Sequence, residues 1–190
     1  MAFVSHEVDR AARSLRELHA LTGRTRLASR SMVTGLPLIG WGTAYIVGLA
    51  ALDLLDGVLR MAVVALAYLF GMALSWLPTR DVIRTGTEPR MRAAWFVVLF
   101  ATPCLAVAAR PESFTYAMLM ACALWGLAMC LYGVATGDVV FATVAGSGTV
   151  LAGLLAMPDL AHPLAWFGVG AGLPLLVLGA SRVLHGVRHA

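Results

Sequence analysis

Six apolar runs dominate this chain and restrict what it can fold into. A helix of about 20 predominantly apolar residues crosses the roughly 30 Å hydrocarbon core of a bilayer. A soluble protein can bury one or two core helices this apolar, but not six in 190 residues. The pattern therefore predicts an all-α, polytopic transmembrane bundle of six spans. The runs cover residues 32–52, 58–77, 91–109, 114–134, 139–157 and 163–180.

The composition agrees with a membrane protein. Hydrophobic residues make up 60% of the chain and charged residues 13%, whereas a soluble domain has about 45–50% apolar and about 25% charged residues. All fourteen basic residues are arginine, and without lysine this chain cannot form a Schiff base with retinal or pyridoxal phosphate. The cysteines Cys104, Cys122 and Cys130 all fall in apolar runs, so we expect no disulfide framework.

The arginines predict the orientation of the spans. If the six runs cross the membrane in turn, only Arg60 and Arg110 fall on one side, and the other twelve fall on the side of both termini. Because cytoplasmic loops carry the excess of arginine, both termini are expected to be cytoplasmic and the protein to lie in the cell (inner) membrane. The net charge of +4 then reflects topology, so we expect the lipid bilayer, and no nucleic acid, as its partner.

This topology divides the chain into three segments: a basic N-terminal segment (1–31), a six-span domain (32–181) and a cytoplasmic tail (182–190). Residues 5–22 have apolar residues at helical spacing among arginines and acids, which predicts a short amphipathic helix. We expect it to lie on the membrane surface; a docking helix for a protein partner is the alternative. The arginines expected to contact anionic lipid are Arg24, Arg26, Arg30, Arg80 and Arg84.

Several spans have recognisable start signals. Ser113 and the stretch Thr136–Gly137–Asp138 stand just before apolar runs and offer side-chain oxygens that can accept hydrogen bonds from the first free N–H groups of a helix. Pro163 stands where a helix tolerates proline, at its first position. The loops between most runs are very short, which predicts antiparallel neighbouring helices.

Small residues recur every four positions in five of the spans. Lipid tails are as apolar as leucine, so membrane helices associate through close backbone approach, which small residues permit. The stripes include Ala67–Gly71–Ser75, Cys122–Gly126–Cys130 and Gly148–Ala152–Ala156. They predict a tightly packed bundle, with one stripe available for self-association. The residues assigned to helix packing are Gly40, Ala44, Gly48, Gly126, Gly168 and Gly172.

Some of the same residues support a different interpretation. Many transporters bind their substrate where a spanning helix is broken near the middle of the membrane. A GLPL sequence occurs in the first and last spans, and AGSGT lies in the middle of the fifth. The positions at which a break or a pathway is expected under this interpretation are Pro37, Gly146, Ser147, Gly148 and Pro174.

Residues for chemistry are scarce. No span has a clearly deep acid, arginine or histidine, which disfavours proton-coupled transport and haem ligation within the bilayer. No Ser/His/Asp set, HExxH sequence or Gly-rich phosphate loop is present. We therefore predict no enzyme activity, no metal and no cofactor. A lipid enzyme would need a polar cluster at one interface, and its most plausible residues are Arg80, Asp81, Arg84 and Asp138.

These observations lead to one functional hypothesis and one alternative. The first is a non-catalytic accessory, sensor or scaffold subunit that acts through helix packing with itself, as a homo-oligomer, or with a membrane-protein partner. The alternative is a small oligomeric transporter or channel whose path is lined by glycine, serine and threonine of spans 1, 5 and 6.

Overall fold

The computed structural model describes residues 34–76, 88–157 and 160–188, and all regular structure in these ranges is helical. The described chain forms six helices, which confirms the all-α prediction. Their bounds are α1 Thr34–Leu54, α2 Gly57–Trp76, α3 Glu88–Ala109, α4 Phe114–Ala135, α5 Val139–Leu155 and α6 Pro163–Arg188.

Four of these helices, α1, α2, α4 and α6, are long and apolar enough to cross a membrane. The apolar part of α3, Ala93–Ala109, and the whole of α5, Val139–Leu155, are shorter. The described residues therefore contain four long candidate membrane spans. The predicted surface helix at 5–22 and the lipid-contacting residues Arg24, Arg26, Arg30, Arg80 and Arg84 lie outside the described residues.

The start signals of α4 and α5 act as predicted. The Ser113 side chain accepts a hydrogen bond from the Tyr116 N–H at the start of α4. The Asp138 carboxylate accepts one from the Phe141 N–H at the start of α5, at 3.1 Å. These bonds satisfy N–H groups that a helix cannot pair internally.

The turn between α4 and α5 is tight because of Gly137. This residue has a φ of +72°, a left-handed conformation that favours glycine. The Gly137 N–H bonds to the Val134 carbonyl at 3.1 Å and the Asp138 N–H to the Gly133 carbonyl at 2.8 Å. This pair of bonds is the Schellman ending of a helix. It reverses the chain within three residues and lays α5 along α4.

The helices pack in an order that differs from their order in the chain. α3 packs on α4, α4 on α5, α5 on α6, α6 on α1 and α1 on α2, and α4 also touches α6. The buried core lies between α1, α4, α5 and α6, whereas α2 and α3 lie along its flanks. The largest fully buried side chains are those of Leu49, Leu119, Cys122, Leu164 and Phe167.

Helix α1 contains a π-helical segment, Tyr45–Leu49. A π turn accommodates an extra residue and changes which side chains face each neighbour; such segments occur often at functional sites. Here the segment begins at Tyr45, a buried residue in the middle of the bundle. The irregularity of α1 therefore lies at Tyr45–Leu49 and not at Pro37, near which the helix is regular.

Candidate functional site

The contact between α1 and α6 is made by backbone against backbone. A Cβ atom added to Gly42 would lie 2.7 Å from the Gly172 carbonyl oxygen, and one added to Gly172 would lie 2.6 Å from the Gly42 oxygen. Gly35 and Gly179 meet in the same reciprocal way, at 2.9 and 2.7 Å. Any side chain at these four positions would collide with the backbone of the opposite helix.

This glycine contact runs between antiparallel helices. Gly35 and Gly42 are seven residues apart in α1, as are Gly172 and Gly179 in α6. A spacing of seven keeps residues on one side of a helix that crosses its neighbour at a shallow angle. Gly168 extends the row, since a Cβ there would lie 2.6 Å from the Tyr45 carbonyl oxygen. The row thus ends at the first residue of the π segment.

The opposite side of α1 packs on α2. A Cβ on Gly40 would lie 3.1 Å from the Gly71 Cα, and one on Gly48 would lie 3.7 Å from the Ala67 Cβ. Between them, the Ala44 side chain is completely buried, and its Cβ lies 3.5 Å from the position of a Cβ on Gly71. The small residues of the first two spans therefore lie against each other.

Two linked hydrogen bonds stabilise the contact between α1 and α2 near one end. The Trp41 indole N–H donates to the Ser75 hydroxyl at 3.0 Å, and that hydroxyl donates to the Gly71 carbonyl at 2.8 Å. Both polar groups are thus satisfied within the bundle, where water is scarce.

Helices α4 and α5 form the most extensive contact of the bundle. A Cβ on Gly133 would lie 2.7 Å from the Ala142 backbone nitrogen, and one on Gly126 would lie 2.7 Å from the Thr149 hydroxyl. The Thr149 hydroxyl donates to the Ala123 carbonyl at 3.3 Å. Together with the tight turn at Gly137, these contacts make α4 and α5 a helical hairpin.

Two carboxylates join helices at opposite ends of the bundle. Asp53, in the last turn of α1, accepts a hydrogen bond from the Ala165 N–H at the start of α6, at 2.9 Å. At the other end, Asp138 forms an ion pair with Arg182 of α6, at 2.6 Å. The Asp138 carboxylate thus caps the start of α5 and also pairs with Arg182. Arg80, Asp81 and Arg84, the other residues considered for a lipid enzyme, lie outside the described residues.

The residues considered for a helix break lie in continuous helix. Helix α6 runs through Pro174, and α5 runs through Gly146, Ser147 and Gly148. The Ser147 hydroxyl bonds to the Val144 carbonyl of its own helix. Gly146 faces Cys130 of α4, whereas Gly148 faces Ala171 of α6. The structure therefore offers no opening of the backbone at these positions.

A small cavity lies in the interior of the bundle, beside the π segment. It measures about 10 Å³, close to the smallest volume that holds a water molecule. Four helices line it: Tyr45 of α1, Cys122 and Gly126 of α4, Gly148 of α5, and Phe167 and Ala171 of α6. The Tyr45 hydroxyl is buried and has no hydrogen-bond partner among the described residues. This hydroxyl is the most unusual polar group of the described core.

A second space is a groove on the outside of the α4–α5 hairpin. It measures about 410 Å³ and is lined by small and apolar residues, including Cys130, Val134, Ala142 and Gly146. No group of three or more histidine, cysteine, aspartate or glutamate side chains in the described chain is arranged to hold a metal ion. The described residues thus offer packing surfaces and a buried hydroxyl without a hydrogen-bond partner, but no cluster of metal ligands.

The sequence patterns did not identify the closest of these contacts, the one between α1 and α6. They assigned Gly168 and Gly172 to packing, but they did not assign Gly35, Gly42 or Gly179. The sequence signal for these glycines is their spacing of seven in both helices, whereas the predicted stripes have a spacing of four. The roles of Asp53 and Arg182 between helices had no sequence signal, because their partners lie far away along the chain.

Comparison with known proteins gives no match: no protein family, no curated protein and no solved structure is significantly similar to this chain.

Proposed function

We propose that the protein is a small multi-pass protein of the inner membrane that acts without catalysis, as an accessory, sensor or scaffold subunit. It works through helix packing with itself or with a second membrane protein. In this proposal all six helices span the bilayer and both termini are cytoplasmic.

Two contacts between helices support the alternating arrangement of spans. Asp53 meets the start of α6, which requires the end of α1 and the start of α6 to lie on one side. Asp138 and Arg182 meet at the other side, where α5 starts and α6 approaches its end. The start of α1 and the end of α6 then lie on this second side. The excess of arginine near the chain termini makes it the cytoplasmic one.

The observation that carries the functional proposal is the contrast between the closed interior and the apolar flanks. Glycine contacts bring the core helices close together, and the cavity beside Tyr45 measures only about 10 Å³. Helices α2 and α3 each pack along one side of this core and direct large apolar side chains outward. In a bilayer these side chains face lipid or another protein. Examples are Leu66, Leu69 and Met72 of α2 and Phe96, Phe100 and Val107 of α3.

Purification in mild detergent from the native membrane, followed by mass spectrometry of the intact complex, tests this proposal. We expect a discrete complex, either with a stoichiometric second membrane protein or with further copies of this chain. A second protein would name the pathway in which the subunit acts. A bare monomer that survives in several mild detergents would contradict the proposal.

Cysteine cross-linking in intact membranes provides the control for detergent artefacts. Cys104 of α3 is exposed, whereas Cys122 is buried in the core. If copies associate through α3, mild oxidation should link them through Cys104, and Cys104→Ser should abolish the linked dimer while Cys122→Ser preserves it. For α2, Met72→Cys introduces the corresponding exposed probe.

A small transporter or channel for uncharged solutes is the second candidate, and one observation favours it. The internal cavity is lined by α1, α5 and α6, the three helices through which the path is expected, and also by α4. Gly148 of α5 is one of its lining residues. Conduction would need the helices to separate, because the cavity as described holds about one water molecule.

Under this second candidate, Gly148→Leu should abolish solute flux without removing the protein from the membrane, because the side chain would occupy the cavity. Stopped-flow measurement of water and glycerol permeability in proteoliposomes gives the readout. Gly153→Leu is the matched control, since Gly153 is exposed in the same helix and a Cβ there meets nothing within 4 Å. Equal permeability in the wild type, in Gly148→Leu and in protein-free vesicles would count against this candidate.

A further inference from the structure

The buried hydroxyl of Tyr45 requires an explanation that the described side chains do not supply. Tyr45 is only 4% exposed, and its hydroxyl has no hydrogen-bond partner among the described residues. A buried hydroxyl without a partner is costly, so such groups are almost always paired with protein or ordered water. The cost is greatest in a bilayer, where the surroundings offer no replacement partner.

The cavity beside Tyr45 has the size and the lining that a single water molecule needs. Its volume of about 10 Å³ is near the minimum for one water. Besides the tyrosine hydroxyl, the Cys122 thiol is a weak donor and acceptor. Gly148 lines the cavity without a side chain, and a Cβ there would meet only the Ala171 Cβ, so no side chain of its own covers the α5 backbone at this point.

We propose that this cavity is a binding site for one ordered water molecule that accepts a hydrogen bond from the Tyr45 hydroxyl. The water in turn bonds to the Cys122 thiol or to a backbone oxygen of α5 beside Gly148. It joins α1, at the start of its π segment, to α4 and α5. The Tyr45 side chain also contacts Phe167 of α6, with ring centroids 6.1 Å apart, so the site connects all four core helices.

Gly148 makes this site testable, because a methyl group there can displace the water. A Cβ added to Gly148 meets only the Ala171 Cβ, at 3.5 Å, which is ordinary van der Waals contact. Gly148→Ala is therefore tolerated sterically but reduces the cavity. Gly153→Ala in the same helix is the control for helix propensity, since a Cβ there meets nothing within 4 Å.

The experiment is a double-mutant cycle on the full chain in detergent, with the midpoint of thermal unfolding as the readout. In the wild type, Gly148→Ala should lower the midpoint by about 2–4 °C relative to Gly153→Ala, because it leaves the Tyr45 hydroxyl without a partner. In the Tyr45→Phe background, Gly148→Ala should match Gly153→Ala, because no hydroxyl remains to be satisfied. The water site thus predicts a coupling between positions 45 and 148.

Two results would overturn the proposal. One is an equal effect of Gly148→Ala in both backgrounds, which would mean that the methyl group displaces nothing on which Tyr45 depends. The other is a rise in the midpoint for Tyr45→Phe alone, which would mean that the hydroxyl is buried without any partner. Steric effects of the methyl group on Ala171 are the same in both backgrounds, so they cancel in the coupling.

Discussion

Gly172→Ala is expected to destabilise the protein by about 1–3 kcal/mol, the usual cost of overpacking a close-packed interior. The added Cβ would lie 2.6 Å from the Gly42 carbonyl oxygen and 3.2 Å from the Ile46 backbone nitrogen. Backbone atoms cannot rotate aside, so α1 and α6 must separate. Separation also weakens the contact between Gly35 and Gly179. The reason is that Gly35 lies on the same rigid helix as Gly42, and Gly179 on the same helix as Gly172. Thermal or denaturant unfolding in detergent measures the loss.

Gly170→Ala is the matched control for this prediction. Gly170 lies two residues away in the same helix, so both changes gain the same helix propensity. A Cβ at Gly170 would meet the Leu151 Cδ2 at 2.5 Å, but this atom is the far end of a flexible side chain that can change rotamer. We expect Gly170→Ala to be close to neutral. Equal stabilities of the two variants would show that the α1–α6 backbone contact does not limit stability.

The helices of this protein could be predicted closely from hydropathy. The apolar runs at 114–134 and 139–157 became Phe114–Ala135 and Val139–Leu155. The last run differs more, because α6 continues to Arg188, eight residues beyond the predicted end at 180. Hydropathy reports where side chains are apolar, whereas the helix continues through the turns that hold Arg182 and its ion pair with Asp138.

The partners of each helix could not be predicted in the same way. Stripes at a spacing of four indicate that one face of a helix carries small side chains, but they do not indicate which helix packs against that face. The stripe at Gly40, Ala44 and Gly48 meets α2, its neighbour in the chain, whereas Gly168 and Gly172 meet α1 from the opposite end of the sequence. The π segment also prevents prediction of the helix partners, because it changes which side chains of α1 face each neighbour halfway along the helix. No pattern in the sequence indicates this segment.

The buried polar contacts show the same limit. In the sequence Asp53 directly follows the first apolar run, but its role depends on Ala165, 112 residues away. Tyr45 and Thr143 are both polar residues inside apolar runs of the sequence. Only the packing of four helices distinguishes Tyr45 from Thr143, whose hydroxyl bonds to its own helix. Local patterns therefore predict elements and caps, while contacts between distant elements depend on the assembled bundle.

Asp53→Ala is expected to destabilise the protein by about 0.5–2 kcal/mol, the range measured for loss of a helix N-cap. Asp53 lies in the last turn of α1, where a carboxylate opposes the helix dipole of its own helix. Its favourable interaction is with α6, since it accepts the Ala165 N–H at 2.9 Å and places negative charge at the positive end of that helix. The residue before Pro163 is His162, with a φ of +60°, in place of the usual Ser, Thr or Asp cap. Asp53 thus provides from α1 the cap that α6 lacks in its own sequence.

Two further variants separate this role from a general effect of charge. Asp53→Asn keeps an oxygen acceptor but loses the negative charge, so its stability should fall between those of the wild type and Asp53→Ala. Asp56→Ala removes a neighbouring carboxylate that is almost fully exposed and pairs with Arg60 in the first turn of α2. We expect little change in stability, because exposed ion pairs contribute little. Unfolding of all three variants in the same detergent gives the comparison. If Asp53→Ala is no less stable than Asp56→Ala, then α6 does not depend on α1 for its cap. The order Asp56→Ala, Asp53→Asn, Asp53→Ala, from most to least stable, would instead show that the end of one span fixes the start of another.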